Sequence, residues 1–158
     1  MGNESKKEIY AHILCDIEDV LNTHMERDEK LRRVCEILRE QVRHYNWVGF
    51  YLLDENDSKT LILGPFVGEP TEHTRIPFGS GICGQAAELE KTFLVQDVSK
   101  QENYLACSIK VKAEIVIPIF KNNRIAGELD IDSHFKAPFS EEDKRFLEKV
   151  AKMVAETM

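Results

Sequence analysis

Apolar residues recur at helical spacing at both ends of the chain and at strand spacing between them. From about residue 5 to 23, Ile9, Ile13, Ile17 and Val20 repeat every three or four positions, with Tyr10, Leu14 and Leu21 beside them. That spacing predicts an amphipathic helix. A second helix, over about 27–44, carries Leu31, Val34, Cys35, Leu38 and Val42. Asp28 and Glu29 at its start and Arg43 and His44 at its end suit the helix dipole. Then the period changes. "NWVGFYLL" (46–53) and "TLILGPF" (60–66) read as strands of a hairpin around the turn "DENDSK" (54–59). Residues 67–82, rich in Gly, Pro and Thr, read as a loop. Residues 84–91 read as a short helix, "TFLVQDV" (92–98) as a strand and 99–112 as a second long connection. "AEIVIPIF" (113–120) and "IAGELDID" (125–132) flank the turn "KNNR". Pro118 cannot donate to a ladder, so it must face an edge or a bulge. Ser140, with Asp143 three places on, is a capping signal. Phe146, Val150 and Met153, flanked by Leu147 and Val154, give the last helix its stripe.

Two helices, a block of antiparallel strands and a final helix make an α+β layout, with helices on one face of a mostly antiparallel sheet. There is no repeat, low-complexity segment or interdomain linker, and the 158 residues fit one domain over 1–158. Two long connections in so small a domain suggest binding loops.

Composition narrows the function classes. Hydrophobic content of 42% with 31% charged residues is that of a soluble globular chain. No run of apolar residues reaches membrane-spanning length, and "MGNESKKEIYAHI" lacks the apolar centre of a signal peptide. Ser5 sits one place too early for a myristoylation signal on Gly2. A cytoplasmic location and no membrane partner are expected. The net charge of −7, with no Lys/Arg cluster, disfavours nucleic acid but leaves a small charged substrate open.

The four cysteines form no C-x-x-C pair and do not read as a disulfide framework. Cys35, on the apolar face of the second helix, and Cys15, beside the stripe of the first, read as packing residues. Cys83 and Cys107 lie in the long connections, where function concentrates. Cys83, in "GSGICGQAA", is either the small residue a tight turn wants or a thiol presented by that turn, and composition alone leans to the turn. If a thiol is presented, successive backbone N–H groups can lower its pKa. Cys107, in "NYLACSIK", is either a buried loop residue or a thiol near Lys110 and Lys112.

Strand alternation sends Ile125, Gly127, Leu129 and Ile131 one way and Arg124, Ala126, Glu128, Asp130 and Asp132 the other. Periodicity alone favours a solvated acidic face. The alternative is a pocket for a substrate ammonium. Glu114 lies roughly opposite Asp130 or Asp132. Three carboxylates so close would raise one pKa and leave a protonated acid. Trp47 and Tyr51 share a face, as core or as an aromatic wall for a methyl or sulfur group. His73, Cys83 and Cys107 have no metal-ligand spacing, and no metal is expected.

Together, "YNWVGFYLL", "LGPFVGEP", "TRIPFGSGICGQAA", "EIVIPIF" and "GELDIDS" resemble the GAF-domain free methionine-(R)-sulfoxide reductases, over about residues 44–146. The resemblance implies a six-stranded antiparallel sheet with N- and C-terminal helices packed on one side, and a homodimer. It implies reduction of free methionine (R)-sulfoxide without a bound cofactor, thioredoxin supplying electrons and NADPH acting indirectly. Carried over, the nucleophile is Cys107, and Cys83, twenty-four residues earlier, is the second thiol. Glu114, Asp130 and Asp132 are the acidic substrate residues, and Trp47 and Tyr51 the aromatic wall. The sequence departs from the pattern in two places. His73 stands where many members have a further, resolving cysteine, and "CSIKVK" replaces an acidic "CDSAS"-like loop. The resolving role then falls to Cys83, or no intramolecular disulfide forms. The alternatives are a non-catalytic GAF module binding a small ligand and a thiol redox sensor.

Overall fold

The computed structural model describes residues 5–101 and 110–158. Its elements are α1 (Lys6–Leu21), α2 (Arg27–Gln41), β1 (Trp47–Asp54), β2 (Asp57–Val67), β3 (Arg75–Pro77), α3 (Gly81–Leu89), β4 (Phe93–Val95), β5 (Ala113–Lys121), β6 (Arg124–Ser133) and α4 (Glu141–Ala155). The six strands form one antiparallel sheet in the order β3-β2-β1-β6-β5-β4. No helix among the described residues is long and apolar enough to cross a membrane.

One sheet face is apolar. Val48, Phe50, Ile115, Ile117, Leu129 and Ile131 pack there against Ile13, Ile17, Leu31, Leu38, Phe146 and Val150 from α1, α2 and α4. At roughly 1.5–3 kcal/mol for each fully buried large aliphatic or aromatic side chain, this layer is the main source of stability. Cys35 packs here as expected, fully buried. Cys15 does not, and its side chain is exposed. The buried line of α1 is Tyr10, Ile13 and Ile17, which leaves Ile9 38% exposed and turns Cys15 to solvent.

Local chemistry explains the turns. Asp54 Oδ1 accepts from the Asn56 N–H at 3.0 Å, so the β1–β2 turn is tighter than the six residues expected. Asn122 and Asn123 both take positive φ, at 53° and 62°, as the two-residue turn of a hairpin requires. Pro118 lies beyond the end of β4, whose pairing with β5 stops at Val116, so no β4 ladder donor is needed there. Helix α2 ends at Gln41, three residues before His44. His44 instead reaches Asp143 at 2.8 Å.

Asp143 anchors the helix layer. It closes the capping box with Ser140 at the start of α4. Its Oδ1 also accepts from Tyr10 Oη at 2.6 Å and Tyr45 Oη at 2.7 Å, and Lys6 Nζ meets Oδ2. Burial opposes the charge, but the hydrogen bonds from His44, Lys6, Tyr10 and Tyr45 hold this carboxyl well below the usual range.

Candidate active site

The opposite sheet face carries the acids. Register sets Trp47 against Asp132, Gly49 against Asp130 and Tyr51 against Glu128 across β1 and β6. On the other side of β6, Glu114 faces Asp132 and Val116 faces Asp130. Glu114 thus pairs with the second of its two expected partners. The solvated face favoured by periodicity is not found. Asp130, Asp132 and Glu128 are at most 1% exposed and Glu114 is 5% exposed. Alternation separates the two faces of a strand but does not say what covers the second. Here α3 does, resting on β5 and β6. So α3 stands apart from the three helices on the apolar face.

Helix α3 starts at Gly81, inside the expected loop, which also contains β3. Gly81 takes φ +63°. Gly84 allows the first helical turn to press on the chain before it. A Cβ there would lie 2.6 Å from the Pro77 carbonyl oxygen, and Gly84 itself accepts from the Gly79 N–H at 2.8 Å. Cys83 rides in this turn and is buried over the acids, its thiol 3.8 Å from Glu114 Oε2.

The environment of Cys83 reverses one expectation. Its pKa is not lowered by the turn. Burial raises it well above that of an ordinary thiol, and Asp130, Glu114, Glu128 and Asp132 raise it further. Cys83 is therefore held as a thiol. Burial also raises the carboxyl of Asp130. Burial and then the charge of Asp130 push Glu128 well above the usual range. Burial is thus the main cause on this face, and like-charge crowding adds to it at Glu128.

Trp47 and Tyr51 belong to the buried cluster on this face. They are 3% and 1% exposed, with ring centroids 6.5 Å apart. Trp47 also stacks on Phe66 at 5.4 Å and donates from Nε1 to the Glu69 carbonyl at 2.9 Å. Gly49 and Gly68 make room for the indole. A Cβ at either would come within 2.5 Å of a Trp47 ring atom.

Tyr51 Oη donates to the His73 carbonyl at 2.8 Å. His73, Tyr51, Cys83, Glu114 and Asp130 are among the residues around a cavity of about 10 Å³, room for roughly one water molecule. Binding an amino acid there needs a wider opening than this conformation has. Cys107, the expected nucleophile, lies outside the described residues. Of the two lysines expected beside it, Lys110 meets Glu69 Oε1 at 3.2 Å, and Lys112 is exposed.

Sequence reasoning left Glu128 and Phe66 out of the site. The signal for Glu128 was present, since it has the same strand parity as Asp130 and Asp132. Phe66 follows only from the register of β2, where it opposes Gly49.

Residues 26–158 match the family model described as GAF domain. The free methionine-R-sulfoxide reductase of Escherichia coli (strain K12) is 34% identical over 92% of this chain and 86% of its own length. That of Saccharomyces cerevisiae is 44% identical over 69% of this chain and 61% of its own length. The free methionine-R-sulfoxide reductase of Neisseria meningitidis, solved in complex with its substrate, superposes with a TM-score of 0.91 at 37% identity. That match covers 99% of this chain and 92% of the other.

Proposed function

The chain belongs to the GAF-domain free methionine-R-sulfoxide reductases, and from that membership we propose that it reduces free methionine (R)-sulfoxide to methionine. One observation carries the reading from family to site. A buried thiol, a set of buried acids and an aromatic wall converge beneath α3 on one face of the sheet. The acids suit the substrate ammonium, and the rings of Trp47 and Tyr51 suit its methyl and sulfur.

In this reading the Cys107 thiolate attacks the sulfoxide sulfur. The S–O bond breaks, the oxygen passes to Cys107 as a sulfenic acid, and methionine leaves. Among Glu114, Asp130 and Asp132, the raised carboxyl of Asp130 retains a proton to polarise the S–O bond. Cys83 then condenses with the sulfenic acid. The S–S bond forms, the hydroxyl leaves, and the thiol proton departs with it as water. Two electrons from thioredoxin restore both thiols. The high pKa of Cys83 fits this order, because a thiol kept protonated does not compete for the sulfoxide. His73, which replaces a cysteine of the family pattern, leaves Cys83 as the resolving group. No bound cofactor is needed in this cycle. A homodimer in the reducing cytoplasm, where thioredoxin operates, completes the reading.

The test supplies free methionine (R)-sulfoxide, thioredoxin, thioredoxin reductase and NADPH. NADPH oxidation that depends on the sulfoxide is expected. Consumption no faster than in its absence refutes the enzyme reading, and activity that survives Cys107→Ser refutes the choice of nucleophile.

A further inference from the structure

The site concentrates negative charge: Cys83, Glu114, Glu128, Asp130 and Asp132 are all buried on one face. The four largest charge effects on the Cys83 thiol all come from acids. Both carboxylate oxygens of Glu128 and Oδ1 of Asp130 are buried with no hydrogen-bond partner among the described residues. The Glu128 carboxyl faces Cys83. A buried carboxyl left in this state carries a large desolvation cost, which a proton or a bound cation removes.

Geometry selects the kind of cation. One ligand atom each from Cys83, Glu114 and Asp130 lies within 4.8 Å of the other two. A tetrahedral ion with Zn–S of about 2.3 Å and Zn–O of about 2.1 Å holds such atoms roughly 3.5 Å apart. Side-chain adjustments of about 1 Å therefore close the site. The cavity among them, about 10 Å³, takes a bare ion and not its hydration shell. We propose that Cys83, Glu114 and Asp130 bind a thiophilic divalent cation of the Zn²⁺ class, with Glu128 as the fourth charge facing it. The spacing of His73, Cys83 and Cys107 carries no metal signature, and only Cys83 of those three belongs to this set. Binding converts the Cys83 S–H into a metal thiolate and Asp130 into a ligating carboxylate, and releases to solvent the thiol proton and the proton held by Asp130, with no change in oxidation state. The sulfur ligand excludes Mg²⁺ and Ca²⁺, which require oxygen donors.

Titration of the reduced full chain with Co²⁺ tests the site, because a cobalt–thiolate bond absorbs in the near ultraviolet. One Co²⁺ per chain, a thiolate band, and its loss on adding Zn²⁺ are expected. Cys83→Ser should abolish the band, while Cys35→Ser, which alters the other core, should leave it. If Cys83→Ser does not fold, Asp130→Asn and Glu128→Gln keep the thiol. Each should weaken Co²⁺ by about tenfold or more. Absence of a band, a band that persists in Cys83→Ser, unchanged affinity in both acid variants, or displacement of Co²⁺ by Mg²⁺ overturns the proposal. The titration involves no turnover, so its failure leaves the reductase reading standing, and loss of reductase activity leaves the metal site standing.

Discussion

Replacing Gly49 by alanine tests the proposed aromatic wall directly. Strand propensity alone argues that Gly49→Ala stabilises, by roughly 0.5–1 kcal/mol, through reduced freedom of the unfolded chain. The packing argues the reverse. The new Cβ would lie 2.4 Å from Trp47 Cη2, 2.7 Å from Cζ3 and 2.8 Å from Phe66 Cβ. Carbon atoms in contact sit about 3.5–4.0 Å apart, so the indole must move by about 1 Å. It cannot move freely, because Phe66 stacks on it and Nε1 is tied to the Glu69 carbonyl. Overpacking of this kind costs about 1–3 kcal/mol. A misplacement of about 1 Å in a substrate-positioning group costs roughly a hundredfold in rate. Trp47 is the only tryptophan, so its emission reports the displacement without ambiguity. We expect Gly49→Ala to show altered emission, a lower urea midpoint and a fall in kcat/KM for the free sulfoxide of one to two orders of magnitude. Gly64→Ala, whose Cβ would approach nothing closer than 3.1 Å, should lose less stability and leave the emission unchanged. An unshifted emission with wild-type kcat/KM in Gly49→Ala would refute the reasoning.

Three further substitutions probe separate parts of the fold and cycle. Asp143→Ala strands two tyrosine hydroxyls, His44 and Lys6, and should cost about 3–5 kcal/mol in urea unfolding. Its folded pKa is depressed, so the advantage of wild type over Asp143→Asn should be full above about pH 4 and shrink as the pH falls below it. A gap that is constant with pH would count against that assignment. Cys83→Ser should release about one methionine per chain and then stall with thioredoxin, if two thiols complete the cycle. Undiminished steady-state turnover would show that another thiol resolves the intermediate. Glu128 has a raised pKa, so the folded state keeps a proton that the unfolded chain releases above about pH 4. Wild type thus loses stability as the pH rises, and Glu128→Gln should be the more stable protein at pH 7, with the difference closing toward pH 4. A less stable Glu128→Gln at pH 7 would show that the ionised carboxylate is satisfied in the fold.

Much of the scaffold was legible because each long element carries a strong period. The two hairpins, the outer helices and the Ser140–Asp143 cap follow from spacing and turn chemistry alone. The short elements were legible only in part. β4 lies within the strand expected over 92–98 and α3 overlaps the expected short helix, but β3 is three residues inside the expected loop, too short for a period, and exists because β2 offers it a ladder partner. Cys15 and Cys35 look alike in sequence, and which is buried depends on how each helix is rotated against the sheet. The acids were the hardest to place. Asp130 and Asp132 on one strand face look solvated unless the fold supplies a cover, and α3 is a cover joined through a glycine-rich turn with no visible link to β6. The same cover decides the protonation of Cys83. The turn around it resembles an anion-stabilising nest in sequence, yet burial outweighs it, with the four nearby acids adding to the effect.

The alternation along β6 has a consequence for folding itself. Leu129 and Ile131 point into the apolar layer, while Glu128, Asp130 and Asp132 point away from it. A slip of one residue in the pairing of β6 with β1 or β5 would turn all three carboxyl groups into the packed layer beneath α1, α2 and α4. Strand side chains repeat every two positions, so no smaller error is available. The acids of the candidate site therefore also act as a proofreading device for the central strand. A chain paired one residue out of step cannot settle into a compact state.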